Sequence, residues 1–168
     1  MNKNKIAFIA LLAVVCLTTL FVRIPLPTRG YFNVGDIAVI FAGLVLGSMD
    51  RKSGCYLAFL AGGIGAAMAD VIGGFAMFAP ITLMAKGLEG LVAGMAAGRN
   101  NMMQYFLLGL AGTVMVLTYF AGELLLPSIG LQGAVAEILP NVIQAVGGII
   151  GGRFAFAAYQ KIAVHRHA

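Results

Sequence analysis

Six apolar runs separated by short breaks constrain this chain more than any other feature of its sequence. They cover residues 6–22, 34–47, 54–72, 80–97, 103–121 and 134–159. The breaks between them carry glycine, proline and charge, as loop segments do. Runs of about this length cross the hydrocarbon core of a bilayer as helices, although the second run is short for a full crossing. The pattern predicts an all-α integral membrane protein in which residues 1–168 form a single domain of six transmembrane helices.

Composition excludes a soluble protein. Hydrophobic residues make up 61% of the chain and charged residues only 10%, whereas a soluble domain carries about 25% charged residues. The chain lacks the polar side chains needed to cover a surface that faces water. We therefore expect a multi-pass protein of the cell membrane, with the lipid bilayer as its surroundings. The net charge of +5 does not indicate a nucleic-acid partner, because the basic residues lie in short loops, where they act as topology signals.

The basic residues also predict the orientation. They concentrate at the termini and in alternate breaks, while the opposite breaks hold only Arg23 and Arg29. Because cytoplasmic loops are enriched in lysine and arginine, both termini are expected in the cytoplasm. The first break, residues 23–33, is then expected to face outward. The residues on the predicted cytoplasmic side are Lys3, Lys5, Arg51, Lys52, Arg99, Lys161 and Arg166.

Polar side chains inside the apolar runs cluster at one predicted depth. Lys86 and Glu89 lie three residues apart, roughly 9 and 13 Å below the start of the fourth run at 1.5 Å per helical residue. The same spacing places Asn141 and Gln144 on one face of the last helix at about the same depth. Apart from Arg153, the inner half is expected to be apolar. Since polar groups in hydrocarbon need a partner or a purpose, the pattern predicts an outer pocket for a small polar ligand.

Other polar groups reach the same outer level, and each has a structural explanation as well. Asp36 follows the first break and can stabilise a helix N-terminus. The Lys86–Glu89 pair can simply join helices, and Asn141 and Gln144 can act as interhelical contacts. The remaining groups at this level are Asn33, Asp70, Tyr119 and Glu123, with Phe32, Phe75 and Phe78 as flat apolar surfaces.

A strip of small residues marks the first helix. Ala7, Ala10 and Ala13 recur every three residues in its predicted cytoplasmic half. Small side chains let helices approach closely. The strip can pack within the protein or bind a partner helix, and the sequence leaves both alternatives open.

Enzyme and nucleotide motifs are missing from the sequence. It contains no G-x-x-x-x-G-K-[ST] loop, no H-E-x-x-H and no G-x-S-x-G, and its two histidines, His165 and His167, lie in the tail. We therefore predict that the chain is not an enzyme, has no catalytic residues, and uses no metal and no cofactor.

Three stretches resemble the substrate-binding S components of energy-coupling factor vitamin transporters. They are "GYFNVGDIAVIFAGLVLG", "GGIGAAMADVIGGFAMFAPITLMAKGLEGLVAG" and "LPNVIQAVGGIIGG", and the likeness covers about residues 24–152. The resemblance implies a membrane subunit that captures a vitamin or vitamin precursor from outside, of the riboflavin, hydroxymethylpyrimidine or pyridoxine type. It also implies a transmembrane coupling protein and two ATPase subunits as partners.

The resemblance further implies where substrate and partner bind. In this sequence the substrate-binding positions correspond to Asn33, Lys86, Glu89, Tyr119, Asn141 and Gln144. The coupling surface corresponds to Ala7, Ala10 and Ala13, although the family's strip has a spacing of four rather than three. An accessory membrane subunit and a self-sufficient secondary transporter of a small polar solute remain as alternatives.

Overall fold

The structure, a computed structural model, describes residues 3–27 and 30–165. Within this part of the chain it contains six α-helices and one short antiparallel β-hairpin, so the predicted helix count is confirmed. The basic residues Arg29 and Arg166 lie outside the described residues. The elements are α1 Lys3–Phe21, β1 Arg23–Pro25, β2 Tyr31–Asn33, α2 Gly35–Met49, α3 Arg51–Ile72, α4 Ala79–Ala96, α5 Asn101–Leu124 and α6 Gly130–His165.

Three of the described helices, α3, α5 and α6, are long and apolar enough to cross a membrane by length and composition, and α1 and α2 are shorter apolar helices. The last helix is longer than the predicted run 134–159, since it begins at Gly130, where φ is +64°. Glycine adopts this left-handed backbone conformation without steric cost, and it lets the chain turn before the helix begins.

Polar residues fix the sharp turns between helices. The Asp50 carboxylate accepts hydrogen bonds from the backbone N–H groups of Lys52 and Ser53, at 3.0 and 3.3 Å, and so caps α3 directly after α2. The Asn100 side chain caps α5 in the same way, accepting from Met103 N at 2.9 Å. These caps let α3 and α5 begin within a few residues of the end of the preceding helix.

The short second helix lies at the centre of the bundle. α2 contacts α1, α3, α4 and α6, and its residues Val39, Ile40 and Leu44 are fully buried. Protein rather than lipid therefore surrounds α2, which explains how a helix of 15 residues is accommodated.

Helices α3 and α4 approach each other through glycine. A Cβ atom added at Gly62 would lie 2.5 Å from the carbonyl oxygen of Lys86, and one at Gly90 would lie 2.6 Å from that of Ala58. Contacts this short leave no room for a side chain, so the two backbones pack directly against each other. This packing holds Lys86 and Glu89 of α4 in a fixed position inside the bundle.

The bundle has two distinct ends. The hairpin end carries the paired strands β1 and β2, which we call the hairpin, and the turns that follow α3 and α5. The opposite end carries the N-terminus of α1 and the turns at Asp50 and at 97–100. β1 and β2 pair in the register Arg23 to Asn33, and Leu26 N donates to Gly30 O at 2.9 Å. The hairpin was not predicted, because its strands of three residues are too short to show a period in the sequence.

Candidate functional site

Acidic side chains are concentrated inside the protein. Five of the chain's six acidic residues are at most 3% exposed, whereas Asp50 is exposed at the opposite end. A buried carboxylate in a membrane protein is costly and marks a paired or functional position. The five are Asp36, Asp70, Glu89, Glu123 and Glu137.

Three charged residues form a buried ion cluster beneath the hairpin end. The Lys86 ammonium contacts the Asp36 carboxylate of α2 and lies 3.3 Å from Glu89 Oε2 on its own helix. The predicted shared face of Lys86 and Glu89 is therefore confirmed. When all three groups are counted as ionised, the two carboxylates exceed the single ammonium by one negative charge. The second oxygens of Asp36 and Glu89 have no hydrogen-bond partner among the described residues.

Above this cluster lies a small polar cavity. Its volume is about 30 Å³, which is space for a water-sized occupant. Four of the six predicted substrate-binding residues line it, while Lys86 and Glu89 do not. The lining residues are Gly30, Tyr31, Asn33, Phe78, Thr82, Tyr119, Glu123, Glu137, Asn141 and Gln144.

A chain of hydrogen bonds joins the hairpin to α6 across the cavity. The backbone N–H of Asn33 donates to Gln144 Oε1 at 2.8 Å, and Gln144 Nε2 donates to Asn141 Oδ1 at 3.0 Å. The Asn33 side chain in turn accepts from Gly35 N at 2.6 Å. The i, i+3 spacing predicted that Asn141 and Gln144 share one face of the helix, and the hydrogen bond between them confirms it. The hairpin forms the roof of the cavity, and α6 holds it in place.

Tyr119 separates the cavity from the ion cluster. Its hydroxyl donates to Thr82 Oγ1 at 3.1 Å, and the Lys86 ammonium lies 5.5 Å from the centroid of its ring. A cation over an aromatic face is attracted by the ring's quadrupole. Lys86 and Glu89 therefore lie below the cavity floor and support it through Tyr119.

A second polar contact holds the hairpin against α3. The Tyr31 hydroxyl donates to the Asp70 carboxylate, and the Tyr31 ring lies 4.6 Å from that of Phe75 between centroids. The Arg23 guanidinium lies 5.8 and 5.2 Å from these two rings. Burial, followed by the charge of Asp70, raises the pKa of the Tyr31 phenol above its ordinary value. Tyr31 therefore stays protonated and remains the donor.

Several lining residues were missed by the sequence reading. Glu137 was not singled out, although it lies four and seven residues before Asn141 and Gln144, a spacing that places all three on one helical face. Phe32 and Phe75 were expected at the pocket, but neither lines the cavity, and of the predicted phenylalanines only Phe78 does.

The opposite end is less apolar than predicted. Gln104 is buried there, accepts a hydrogen bond from Arg153 Nε at 2.6 Å and donates to the carbonyl oxygen of Ala96 at 3.3 Å. Arg153 is thus held by a buried partner. Among the described residues no group of three or more His, Cys, Asp or Glu side chains is arranged to hold a metal ion.

The alanine strip of α1 is divided between two environments. Ala10 and Ala13 are exposed on the outer face of the helix, whereas Ala7 is half-buried and packs against the core. Ile9 and Leu17 are exposed on the same outer face, 56% and 51% respectively. The exposed part of the strip is therefore a shallow apolar surface around Ala10 and Ala13.

Two comparisons place the chain among known proteins. A family model described as "ECF-type riboflavin transporter, S component" matches residues 1–161. A protein of Pyrococcus woesei, described as "Uncharacterized protein in gap 3'region", is 39% identical over 152 residues, which cover 88% of this chain and 96% of that protein. The family match extends over α1 to α5 and most of α6.

The charge balance of the ion cluster gives the first prediction. Replacing Lys86 by Met leaves two buried carboxylates without a counter-charge, and this should cost about 3–5 kcal/mol of stability. Asp36→Asn leaves one carboxylate and one ammonium and should be much milder. Thermal unfolding of the purified protein in detergent measures both variants.

A triple variant serves as the control. Asp36→Asn, Lys86→Met and Glu89→Gln together remove every charge of the cluster, so much of the stability lost in Lys86→Met should return. If Lys86→Met melts at the same temperature as Asp36→Asn, the excess charge does not govern stability here.

Proposed function

The chain belongs to the S component family of energy-coupling factor (ECF) transporters, and from that premise we propose that it captures a vitamin or vitamin precursor at its hairpin end for an ATP-driven importer. The family consists of substrate-binding subunits of transporters, so the chain is a membrane-transport protein and not an enzyme. The observation that carries the proposal is the polar cavity, because four residues suggested by the resemblance line it.

The orientation supports capture from outside. The predicted cytoplasmic side holds most of the loop lysines and arginines, which supports a hairpin end that faces the outside of the cell. A ligand then enters beside the hairpin and meets Asn33, Asn141 and Gln144. Tyr119 forms the floor, and Lys86 and Glu89 act through it rather than by direct contact.

The proposed site must open to accept a vitamin. Pockets for small molecules measure about 300–1,000 Å³, far more than the roughly 30 Å³ of the closed cavity. The hairpin is the element best suited to move, since it has two short strands and is held by the Asn33–Gln144 and Tyr31–Asp70 hydrogen bonds. Breaking these two contacts would lift the roof while the helices stay in place.

Transport requires partners in this proposal. A binding subunit cannot concentrate its ligand without a coupled energy source, and in this proposal a transmembrane coupling protein and two ATPase subunits supply that energy. The exposed surface around Ala10 and Ala13 is the proposed contact for a coupling helix, because small residues permit close approach. Ala7 contributes less, since it already packs inward.

Ligand binding by the purified chain tests the proposal. Riboflavin, pyridoxine, hydroxymethylpyrimidine, thiamine and biotin are titrated calorimetrically, and at least one should bind. Gln144→Leu removes a side chain that lines the cavity and should weaken that binding by about 1–3 kcal/mol. Gln104→Leu is the matched control, because Gln104 is an equally buried glutamine at the opposite end, and it should leave affinity unchanged.

The outcomes separate the alternatives. If no compound of the panel binds to folded protein, the capture function is wrong and an accessory structural role is favoured. If Gln144→Leu and Gln104→Leu lose the same amount of affinity, the effect is not specific to the cavity, and the ligand-binding site lies elsewhere.

Uptake tests the coupling surface. Ala10→Trp should leave ligand affinity unchanged, because α1 does not line the cavity. It should reduce uptake in cells that supply the coupling protein and ATPases by roughly fivefold or more, since overpacking a close helix contact costs about 1–3 kcal/mol. Gly109→Trp is the control, because Gly109 is also exposed and has open space around it.

Normal uptake by Ala10→Trp would exclude this surface as the coupling contact. Liposomes that contain the chain alone provide a further check. Accumulation there under an imposed proton or sodium gradient would favour a self-sufficient secondary transporter instead.

A further inference from the structure

An apolar groove on the outside of the bundle runs between α3 and α4 at the hairpin end. Its volume is about 640 Å³. Ile64, Met68 and Ile72 of α3 form one wall, and Pro80 and Leu83 of α4 form the other. None of the residues that line the polar cavity lines this groove, so the two are separate features of the same end.

The groove is a wedge that closes near the middle of the bundle. A Cβ atom added at Gly63 would lie 2.5 Å from the carbonyl oxygen of Leu83, so the backbones of α3 and α4 touch at this level. Gly63 lies near the middle of α3, and the helix rises about 14 Å from Gly63 to Ile72. Half of the hydrocarbon core of a bilayer is about 15 Å thick. The wedge therefore has about the depth of one leaflet.

This depth favours a lipid chain over a helix of another protein. A partner helix that spans the bilayer needs a contact surface that continues through both leaflets. Here the groove ends at Gly63, and below that level α3 and α4 stay in direct contact at Gly62, Gly90 and Gly94. A single hydrocarbon chain needs only the one leaflet, and the apolar walls offer it a continuous surface.

A cation lies at the outer end of the wedge, on the turn that joins α3 to α4. A Cβ atom added at Gly73 would lie 2.5 Å from Cζ of Arg23, and the ring centroid of Phe75 lies 5.2 Å from the same atom. Gly73 and Phe75 are the chain neighbours of Ile72 and Ala76, and both of these line the groove. The guanidinium therefore lies where the headgroup of a lipid seated in the wedge would be.

The protein leaves this guanidinium without a hydrogen-bonding or ionic partner of its own. Its Nη1 atom has no hydrogen-bond partner among the described residues. Arg23 also takes no part in the ion pairs of that part of the chain, both of which involve Lys86. The side chain is only half-buried, so a group from the membrane can reach it. A guanidinium binds phosphate oxygens through paired, charge-assisted hydrogen bonds.

We propose that the wedge between α3 and α4 holds one chain of an anionic phospholipid, whose phosphate group binds Arg23. Because Arg23 belongs to β1, the bound lipid links the hairpin to the turn after α3. The site goes beyond the proposed capture function and does not depend on it, since lipid and captured ligand occupy different surfaces.

Photo-crosslinking in vesicles tests the proposal on the unmodified full chain. The vesicles consist of phosphatidylcholine with a small fraction of a phosphatidylglycerol probe that carries a diazirine at the end of one chain. That chain end should label residues 63–68 of α3, and mass spectrometry maps the labelled peptides. Labelling is expressed relative to residues 114–121 of α5, because several of them line a second apolar groove at the same end, of about 570 Å³, that Arg23 does not border.

The headgroup is then exchanged. A phosphatidylcholine probe with the same chains should label residues 63–68 at least about fivefold less than the phosphatidylglycerol probe, relative to the α5 reference. An anionic headgroup gains about this factor from one nearby arginine.

Variants locate the headgroup contact and the chain. Arg23→Gln should remove the preference for phosphatidylglycerol, whereas Arg23→Lys keeps the charge and should retain part of it. Arg99→Gln, which removes an exposed arginine at the opposite end, should leave the preference unchanged. Ala76→Trp places a large side chain in the groove and should reduce labelling of residues 63–68 by both probes. Ala158→Trp, at an exposed position on α6, is its control.

Three results would overturn the proposal. The first is labelling of residues 63–68 by the phosphatidylglycerol probe that does not exceed the α5 reference, which would leave the wedge without a bound chain. The second is equal labelling by the two probes, which would show that the headgroup is not recognised. The third is a full preference for phosphatidylglycerol in Arg23→Gln, with thermal unfolding showing that this variant is folded. Vitamin binding plays no part in these measurements, so they succeed or fail separately from the capture function.

Discussion

The architecture depends on one buried ammonium group. Lys86 lies on α4 and contacts Asp36 at the start of α2, so it connects the central helix to the helix beneath the cavity. Neither charge can be left alone in a core of this kind without a large penalty, which fixes the relative position of α2 and α4. The glycine contacts between α3 and α4 add a third helix to this unit. Tyr119 and Thr82 pack on top of it and form the floor of the site.

The floor and the roof of the cavity differ in how firmly they are held. Below, a fully buried ion cluster and direct backbone packing define a rigid base. Above, a hairpin with strands of three residues is held by side-chain contacts from Asn33 to Gln144 and from Tyr31 to Asp70. Local openings generally start where few buried contacts and few backbone hydrogen bonds resist them. A site with a fixed floor and a movable roof fits capture from one side of the membrane, which is how we interpret the two ends of this bundle.

Sequence reasoning predicted contacts within a helix and missed contacts between helices. The helix count and the shared faces of Lys86 with Glu89 and of Asn141 with Gln144 follow from helical periodicity, which is a local property. The Asp36–Lys86 contact joins residues 50 apart, and no spacing rule predicts it. Asp36 was therefore assigned to the level of the pocket or to a helix N-terminus, and its pairing with Lys86 was missed. The same periodicity places Glu137 on the face of Asn141 and Gln144, so the sequence alone was sufficient to predict its position. The small cavity volume depends on how the hairpin packs, which the sequence does not specify.

The central claim, that ligand enters at the hairpin end and is closed in by the hairpin, is tested most directly by hydrogen–deuterium exchange. Exchange is measured by mass spectrometry on the purified chain with and without a saturating amount of the tightest-binding compound. The account predicts slower exchange over residues 23–33 when ligand is bound, with residues 97–104 at the opposite end unchanged. Slower exchange at 97–104 with no change at 23–33 would contradict it, because the ligand would then bind at the wrong end of the bundle.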